Sequence, residues 1–181
     1  MPTSEHWQIP WIVDLIHRES PATVLDVGAG YGKFGVLVRE YSKAVRVDAV
    51  DVNPPHYPVY DNVYLGDLRN LDGVLPPDAP ARYDLVLLID VLEHLSKAEG
   101  WETLDRLARR SWRLLVATPW GYRPQFDPDM PYETHVSGWF PWEFGRRFKV
   151  HRWRVIPGHL TMHLLRPRLW QTVVLLSRKA D

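Results

Sequence analysis

The chain has 181 residues, 45% of them hydrophobic, which is enough to close a core around one domain. Lysine plus arginine and aspartate plus glutamate number 22 each, so net charge singles out neither a nucleic acid nor a membrane surface as a partner. With no cysteine, disulfides, thiolate zinc sites and cysteine nucleophiles are excluded, and the composition suits a reducing cytoplasm.

No apolar run approaches the ~18 residues of a membrane span. The opening MPTSEHWQIPW lacks the basic-then-apolar order of a signal peptide, so a cytoplasmic location is expected. Ser4 to Glu19 reads as an amphipathic helix. Trp7, Trp11, Ile12, Leu15 and Ile16 share one face, Pro10 suits the first turn, and Ser20-Pro21 closes the helix.

The stretch Val24 to Gly35, VLDVGAGYGKFG, organises the rest. A short apolar strand runs into three glycines at alternate positions, Gly28, Gly30 and Gly32. A helical pattern then continues to about Tyr41. Such a turn lets a ligand approach backbone N–H groups at a helix N-terminus. A phosphate-cradling loop would need Ser or Thr after Gly32-Lys33, where Phe34 stands. The dinucleotide pattern G-x-G-x-x-G fits Gly30, Gly32 and Gly35, but two residues late relative to the strand. The pattern D-x-G-x-G-x-G, from Asp26 to Gly32, uses every residue. It resembles motif I of the class I S-adenosylmethionine-dependent methyltransferases.

Val45 to Val52 reads as a second strand that ends in Asp51 before Asn53-Pro54-Pro55. Asp51 stands where a nucleotide-binding α/β unit places a carboxylate for the ribose hydroxyls. Asn62 to Leu65 is a short third strand, followed by Asp67 and Leu68. Asp67 alone equally suits the N-cap of a following turn. Leu85 to Ile89 is a continuous aliphatic run, as in a central parallel strand, and ends in Asp90. The surrounding YDLVLLIDVLEHL resembles motif IV of the same methyltransferases, in its VLEHL form. Ser96 and Glu99 frame a capping box, and Trp101, Leu104, Leu107 and Ala108 line the helix that follows.

Ser111 to Thr118 is a fifth strand. A long proline- and aromatic-rich loop then runs to Gly138, of the length that lids and binding loops have. Pro141 opens a short helix ending near Arg147. Lys149 to Ile156 and Leu169 to Ser177 read as strands six and seven. The aromatics of this region (Trp120, Tyr122, Phe126, Tyr132, Trp139, Phe140, Trp142) serve either acceptor stacking or lid packing.

The resemblance spans roughly Pro10 to Leu176. It implies an α/β fold, a single Rossmann-like domain over residues 1–181. Its sheet would be seven-stranded and mostly parallel, with helices on both faces and the last strand antiparallel. It also implies methyl transfer from S-adenosyl-L-methionine, with S-adenosyl-L-homocysteine as product. On this resemblance Gly28, Gly30 and Gly32 line the methionine and ribose portion, and Asp26 organises the amino-acid end or holds a water there. Asp51 and Val52 face the ribose, Asp67 and Leu68 flank the adenine, and Asp90 lies beside the methionine moiety.

A base is required where the acceptor is a hydroxyl, and two histidines compete. His94 follows the fourth strand, though it equally suits hydrogen bonding to loop backbone. His135 lies on the long loop. No metal is expected: His159 and His163 are four apart but lack a third ligand. The segment ETHVSGWFPWEF is loosely similar to a stretch of bacterial methyltransferases of sugars and polysaccharides, so a small-molecule or glycan acceptor ranks first. An RNA methyltransferase using the basic C-terminal stretch, and a donor-binding domain without catalysis, are the alternatives; a nicotinamide dehydrogenase would lack its Tyr-x-x-x-Lys pair. No RNA-binding module is visible, so nucleic acid ranks low. The chain is compact for the family, and a helical lid is either missing or supplied by a partner subunit, which leaves room for a homodimer.

Overall fold

The aliphatic run that ends at Ile89 is buried from both sides. Leu85, Leu87 and Ile89 enter one core with Ile12, Leu15, Ile16, Phe34 and Val38, while Val86 and Leu88 enter the other with Leu71, Leu104, Leu107 and Phe144. Successive strand residues point to opposite faces, so a strand without polar residues needs a cover on each. The structure, a computed structural model, describes residues 4–126, 128–158 and 170–179.

Seven strands form one sheet: β1 (Thr23–Val27), β2 (Arg46–Asp51), β3 (Asn62–Leu65), β4 (Tyr83–Ile89), β5 (Ser111–Pro119), β6 (Phe148–Ile156) and β7 (Gln171–Arg178). Their order is β3-β2-β1-β4-β5-β7-β6. Strand β7 runs antiparallel to both neighbours, and the other pairings are parallel. Helices α1 (Ile9–Glu19) and α2 (Lys33–Tyr41) cover one face. Helices α3 (Leu71–Val74), α4 (Lys97–Arg109) and α5 (Pro141–Phe144) cover the other. The expected fold is therefore the observed one.

Several boundaries differ from the sequence reading. The N-terminal helix begins as a 3-10 turn, His6–Gln8, because Pro10 has no N–H to give an earlier α-turn. The short helix from Pro141 ends at Phe144, and only turns continue to Arg147. Strand β6 gains Phe148 and carries an irregularity between Val150 and Arg152. The capping box of α4 forms as read, with the Glu99 N–H donating to Ser96 Oγ and the Ser96 N–H to Glu99 Oε2. His159, His163, Arg166 and Arg168 lie outside the described residues.

Between β1 and β4 the chain reverses its direction of travel across the sheet. The loops after these two strands therefore diverge and leave a crevice at their carboxyl ends, where open α/β sheets bind ligands. The two-sided core fixes this geometry. Replacing Leu87, fully buried in its middle, by Ala is expected to lower stability by about 2–5 kcal/mol. Urea denaturation checks this: the midpoint falls while the slope stays unchanged.

Candidate active site

The crevice is a cavity of about 920 Å³. The glycine loop, the ends of β2 and β4, the turn after β3, the long loop after β5 and the N-terminal Ser4 and Glu5 all contribute walls. The glycine loop is a run of left-handed turns. Gly28 and Gly30 have φ of 73° and 54°. A Cβ on Gly28 would strike Val91, whereas one on Gly30 would meet nothing within 4 Å, so the backbone at Gly30 lies open to a ligand. Gly32, at φ 93°, caps α2 against Tyr57 and Tyr60 and does not line the cavity.

Asp51 holds this loop in place. Its Oδ2 accepts from the Gly30 N–H and its Oδ1 from the Asn53 N–H, each at 2.8 Å. Each oxygen keeps a further lone pair, the geometry needed to accept from two adjacent hydroxyls. Val52 and Asn53 extend the same wall.

Asp26 sits differently from its family role. It is buried and does not line the cavity, and its Oδ2 accepts from the Tyr60 hydroxyl at 2.6 Å. Burial pushes its carboxyl up to about 7, against the pull of the Tyr60 hydrogen bond. Tyr60 follows a proline-rich stretch with no periodicity, which is why the sequence does not reveal it.

Asp67 takes up the N-cap role. It accepts from the Arg69 N–H at 2.9 Å and pairs with the Arg69 guanidinium at 2.7 Å, which hold its carboxyl below the usual carboxylate range. Arg69 also lies over the Tyr132 ring, 5.7 Å from its centroid, and so joins this end of the cavity to the long loop. Leu68 lines the same wall.

Asp90, at the end of β4, adopts φ 53°, a strained conformation for a residue with a Cβ. Gln8, fully buried on the N-terminal turn, donates to its Oδ2 at 2.6 Å, while Oδ1 is buried without a partner. Burial pushes its carboxyl up to about 6, and the Ser4 and Gln8 side chains pull it down. Sequence reading missed Gln8, since a lone glutamine among apolar residues reads as a tolerated exception.

The far end of the cavity is built by the 3-10 turn Leu92–His94 and the long loop docked on it. The Glu93 carbonyl accepts from the N–H groups of Val136 and Ser137, at 2.9 and 3.1 Å. Its side chain is buried, and Thr118 donates to Oε2 at 3.0 Å. Burial, then the nearby Asp90 charge, raise the Glu93 carboxyl well above its ordinary value. His94 and His135 meet edge to face, with ring centroids 4.9 Å apart. His94 Nδ1 lies 3.2 Å from the Thr134 carbonyl, and His135 Nδ1 2.7 Å from that of Arg123. Both roles read for His94 thus coexist: it bonds loop backbone and it lines the cavity. Burial lowers both imidazoles, His94 to about 4, so each is neutral at pH 7. Of the loop aromatics, Phe126 and Tyr132 line the cavity. Trp120, Phe140 and Trp142 instead stack on one another, and Trp139 packs against Trp101 and Phe144.

A family model described as a methyltransferase domain matches residues 7–142, which span the glycine loop, Asp51, the turn at Glu93 and the docked loop. The chain belongs to this methyltransferase family. Its donor is accordingly S-adenosylmethionine. Solved structures share the fold. The N-methyltransferase NodS from Bradyrhizobium japonicum WM9, in complex with S-adenosyl-L-homocysteine, is 13% identical over 97% of this chain and 89% of its own, with a TM-score of 0.65. The 1,6-didemethyltoxoflavin-N1-methyltransferase of Burkholderia thailandensis, with bound 1,6-didemethyltoxoflavin and S-adenosylhomocysteine, is 20% identical over 98% of this chain and 80% of its own, at 0.68. The small RNA methyltransferase HEN1 is 15% identical over 96% of this chain but only 25% of its own, at 0.65. No curated protein matches by sequence. Among the described residues of this methyltransferase, no helix is long and apolar enough to cross a membrane.

The buried carboxyl under the glycine loop makes the methyltransferase's stability depend on pH. Because the folded pKa of Asp26, about 7, lies above its unfolded value of 3.8, the folded state keeps the proton longer. The neutral group costs nothing below pH ~4; the penalty grows as pH rises towards 7 and then levels off, on the order of 4 kcal/mol at most. Asp26→Asn, which still accepts from Tyr60, is expected to raise Tm relative to wild type at pH 8 and to give little gain at pH 4. Thermal unfolding of both proteins across that range is the check.

Proposed function

We propose that this methyltransferase transfers the methyl group of S-adenosylmethionine to a hydroxyl of a small-molecule or glycan acceptor. The observation that carries this reading is the pair of neutral imidazoles at the end of the cavity beyond Asp90. Each has a backbone carbonyl oxygen facing its Nδ1, so Nδ1 carries the proton and Nε2 keeps its lone pair. A hydroxyl acceptor has a proton to lose at neutral pH and needs such an environment, whereas an amine acceptor can react as its free base.

In this reading the donor lies along the carboxyl ends of β1, β2 and β4. The cavity wall at Gly28 and the open backbone at Gly30 face its methionine and ribose portion, and Asp51 accepts from the ribose hydroxyls. Val52 lies beside the ribose, Asp67 and Leu68 flank the adenine, and Asp90 stands beside the methionine moiety. Asp26 acts through Tyr60 by holding the loop, and Gly32 by starting α2. The acceptor oxygen attacks the methyl carbon in line, and the carbon–sulfur bond breaks with its electron pair going to sulfur. The donor is already activated by its sulfonium, so the protein chiefly aligns the reactants and excludes water.

The charge of the cavity supports a neutral or cationic acceptor over a nucleic acid. Among the described lining residues seven are carboxylic acids, and three carry a fixed positive charge, Lys33, Arg69 and Arg123. Arg69 is paired with Asp67 and Arg123 with Glu5. Two of the basic residues near the C-terminus are likewise engaged elsewhere: Arg147 lies over Trp101 and Arg154 over Trp11. A phosphate-rich substrate would meet mostly negative walls, which a sulfonium donor tolerates.

Two substitutions test the reading. Asp51→Ala removes an acceptor of two charge-assisted hydrogen bonds and is expected to weaken S-adenosylhomocysteine binding by ~100-fold, measured by calorimetry. His135→Ala is expected to lower turnover by about 100-fold or more while the same titration gives wild-type donor affinity. Wild-type turnover in His135→Ala would remove the loop histidine from the chemistry.

A further inference from the structure

The two histidines and the glutamate at the acceptor end come from separate places, the turn after β4 and the loop after β5, yet they converge. One ligand atom from each of Glu93, His94 and His135 can be chosen so that all three lie within 4.8 Å of one another. Around a cation with ligand distances of about 2.1 Å, tetrahedral ligand atoms stand about 3.4 Å apart, so side-chain rotations of about an ångström would close the set. We propose that Glu93, His94 and His135 bind one divalent first-row transition cation, and that this cation holds the hydroxyl to be methylated. The proposal deepens the O-directed reading above and rests on it.

The surroundings have the construction of a metal site. A ligating imidazole usually donates its second N–H to a carbonyl or carboxylate, which fixes its tautomer and turns the other nitrogen toward the metal. His94 and His135 each have this partner, the carbonyls of Thr134 and Arg123. Glu93 has its own support, since the Thr118 hydroxyl donates to Oε2 and the Glu93 carbonyl clamps the backbone that carries His135. The His94 and His135 rings meet edge to face, with centroids 4.9 Å apart. Glu93, His94 and His135 line the same cavity as Gly28, Gly30 and Asp51.

 The site therefore opens on the space where the transferred methyl group is expected.

The donor set selects the class of cation. Two imidazoles and one carboxylate suit Zn²⁺, Mn²⁺, Co²⁺ or Fe²⁺, whereas Mg²⁺ and Ca²⁺ favour all-oxygen sites. Three protein ligands leave coordination positions open toward the cavity, and adjacent hydroxyls of a sugar can occupy two of them. A hydroxyl bound to the cation becomes more acidic and releases its proton to water. Its oxygen then attacks the methyl carbon, the carbon–sulfur bond breaks, and the electron pair leaves on sulfur. The histidines thus act by holding the cation.

The test is direct binding of Co²⁺ to protein stripped with EDTA, followed by calorimetry and by the visible ligand-field bands of bound Co²⁺. One Co²⁺ per chain is expected at micromolar affinity, with Mg²⁺ failing to displace it. Binding should weaken by about 100-fold or more in His94→Ala, in His135→Ala and in Glu93→Gln, the last of which keeps an acceptor for Thr118. S-adenosylhomocysteine titrated into each variant in EDTA shows that its fold is intact. No binding at millimolar Co²⁺, or equal binding by wild type and all three variants, overturns the proposal. The same EDTA titration separates the two readings. Donor binding without Co²⁺ binding removes the metal alone, while Co²⁺ binding without donor binding removes the methyl-transfer role of the cation.

Discussion

Burial of the central strands on both faces is the constraint on which the rest depends. Strands β1 and β4 can carry almost no polar side chain along their length, because each face is covered by helices. Polar chemistry is thereby displaced to where the strands end. Asp51, Asp90 and Glu93 all stand at or just beyond a carboxyl end, and each is managed differently. Asp51 is held by backbone N–H groups, Asp90 by Gln8, and Glu93 by Thr118. Asp26 shows the cost of the exception. It lies inside β1, and burial leaves its carboxyl with a pKa of about 7 and Tyr60 as its hydrogen-bond partner.

The glycine-loop end and the histidine end of the cavity are built on different physical terms. At the glycine-loop end the wall is largely backbone, and it is fixed locally. The Gly28 N–H donates to the Val50 carbonyl, the Gly66 N–H to that of Asp51, and Asp51 itself spans Gly30 and Asn53. Such groups hold their geometry without side-chain ordering. At the histidine end the polar groups are side chains, brought together when the long loop docks through Val136 and Ser137 on the Glu93 carbonyl. Gly138 permits that docking, since a Cβ there would run into the backbone of Tyr122.

This difference decides how much the sequence reveals. The seven strands, the two-sided burial of the central ones and the antiparallel β7 follow from periodicity and from the resemblance carried by Asp26 to Gly32 and by the VLEHL stretch. Local spacing reaches Asp51 for the same reason, because the residues that fix it lie within one βαβ unit. It does not reach Gln8 on Asp90 or Tyr60 on Asp26, which are contacts across 82 and 34 residues with no pattern of their own. Asp67 shows the opposite limit. Its position fits both a cap and a ligand contact, and the structure supplies the cap through Arg69.

The pairing of His94 with His135 lies at the far end of that scale. Each residue is ordinary in its own segment, and neither spacing nor neighbours mark them as partners. What joins them is the main chain: the Thr134 carbonyl next to His135 accepts from His94, and the Glu93 carbonyl next to His94 accepts from the residues that follow His135. The turn and the loop therefore hold each other by reciprocal hydrogen bonds from the residues flanking their functional side chains. A change that loosens either segment moves both imidazoles together. The geometry of the histidine end is thus coupled to loop docking, while the glycine-loop wall, built from other strands' ends, is left in place.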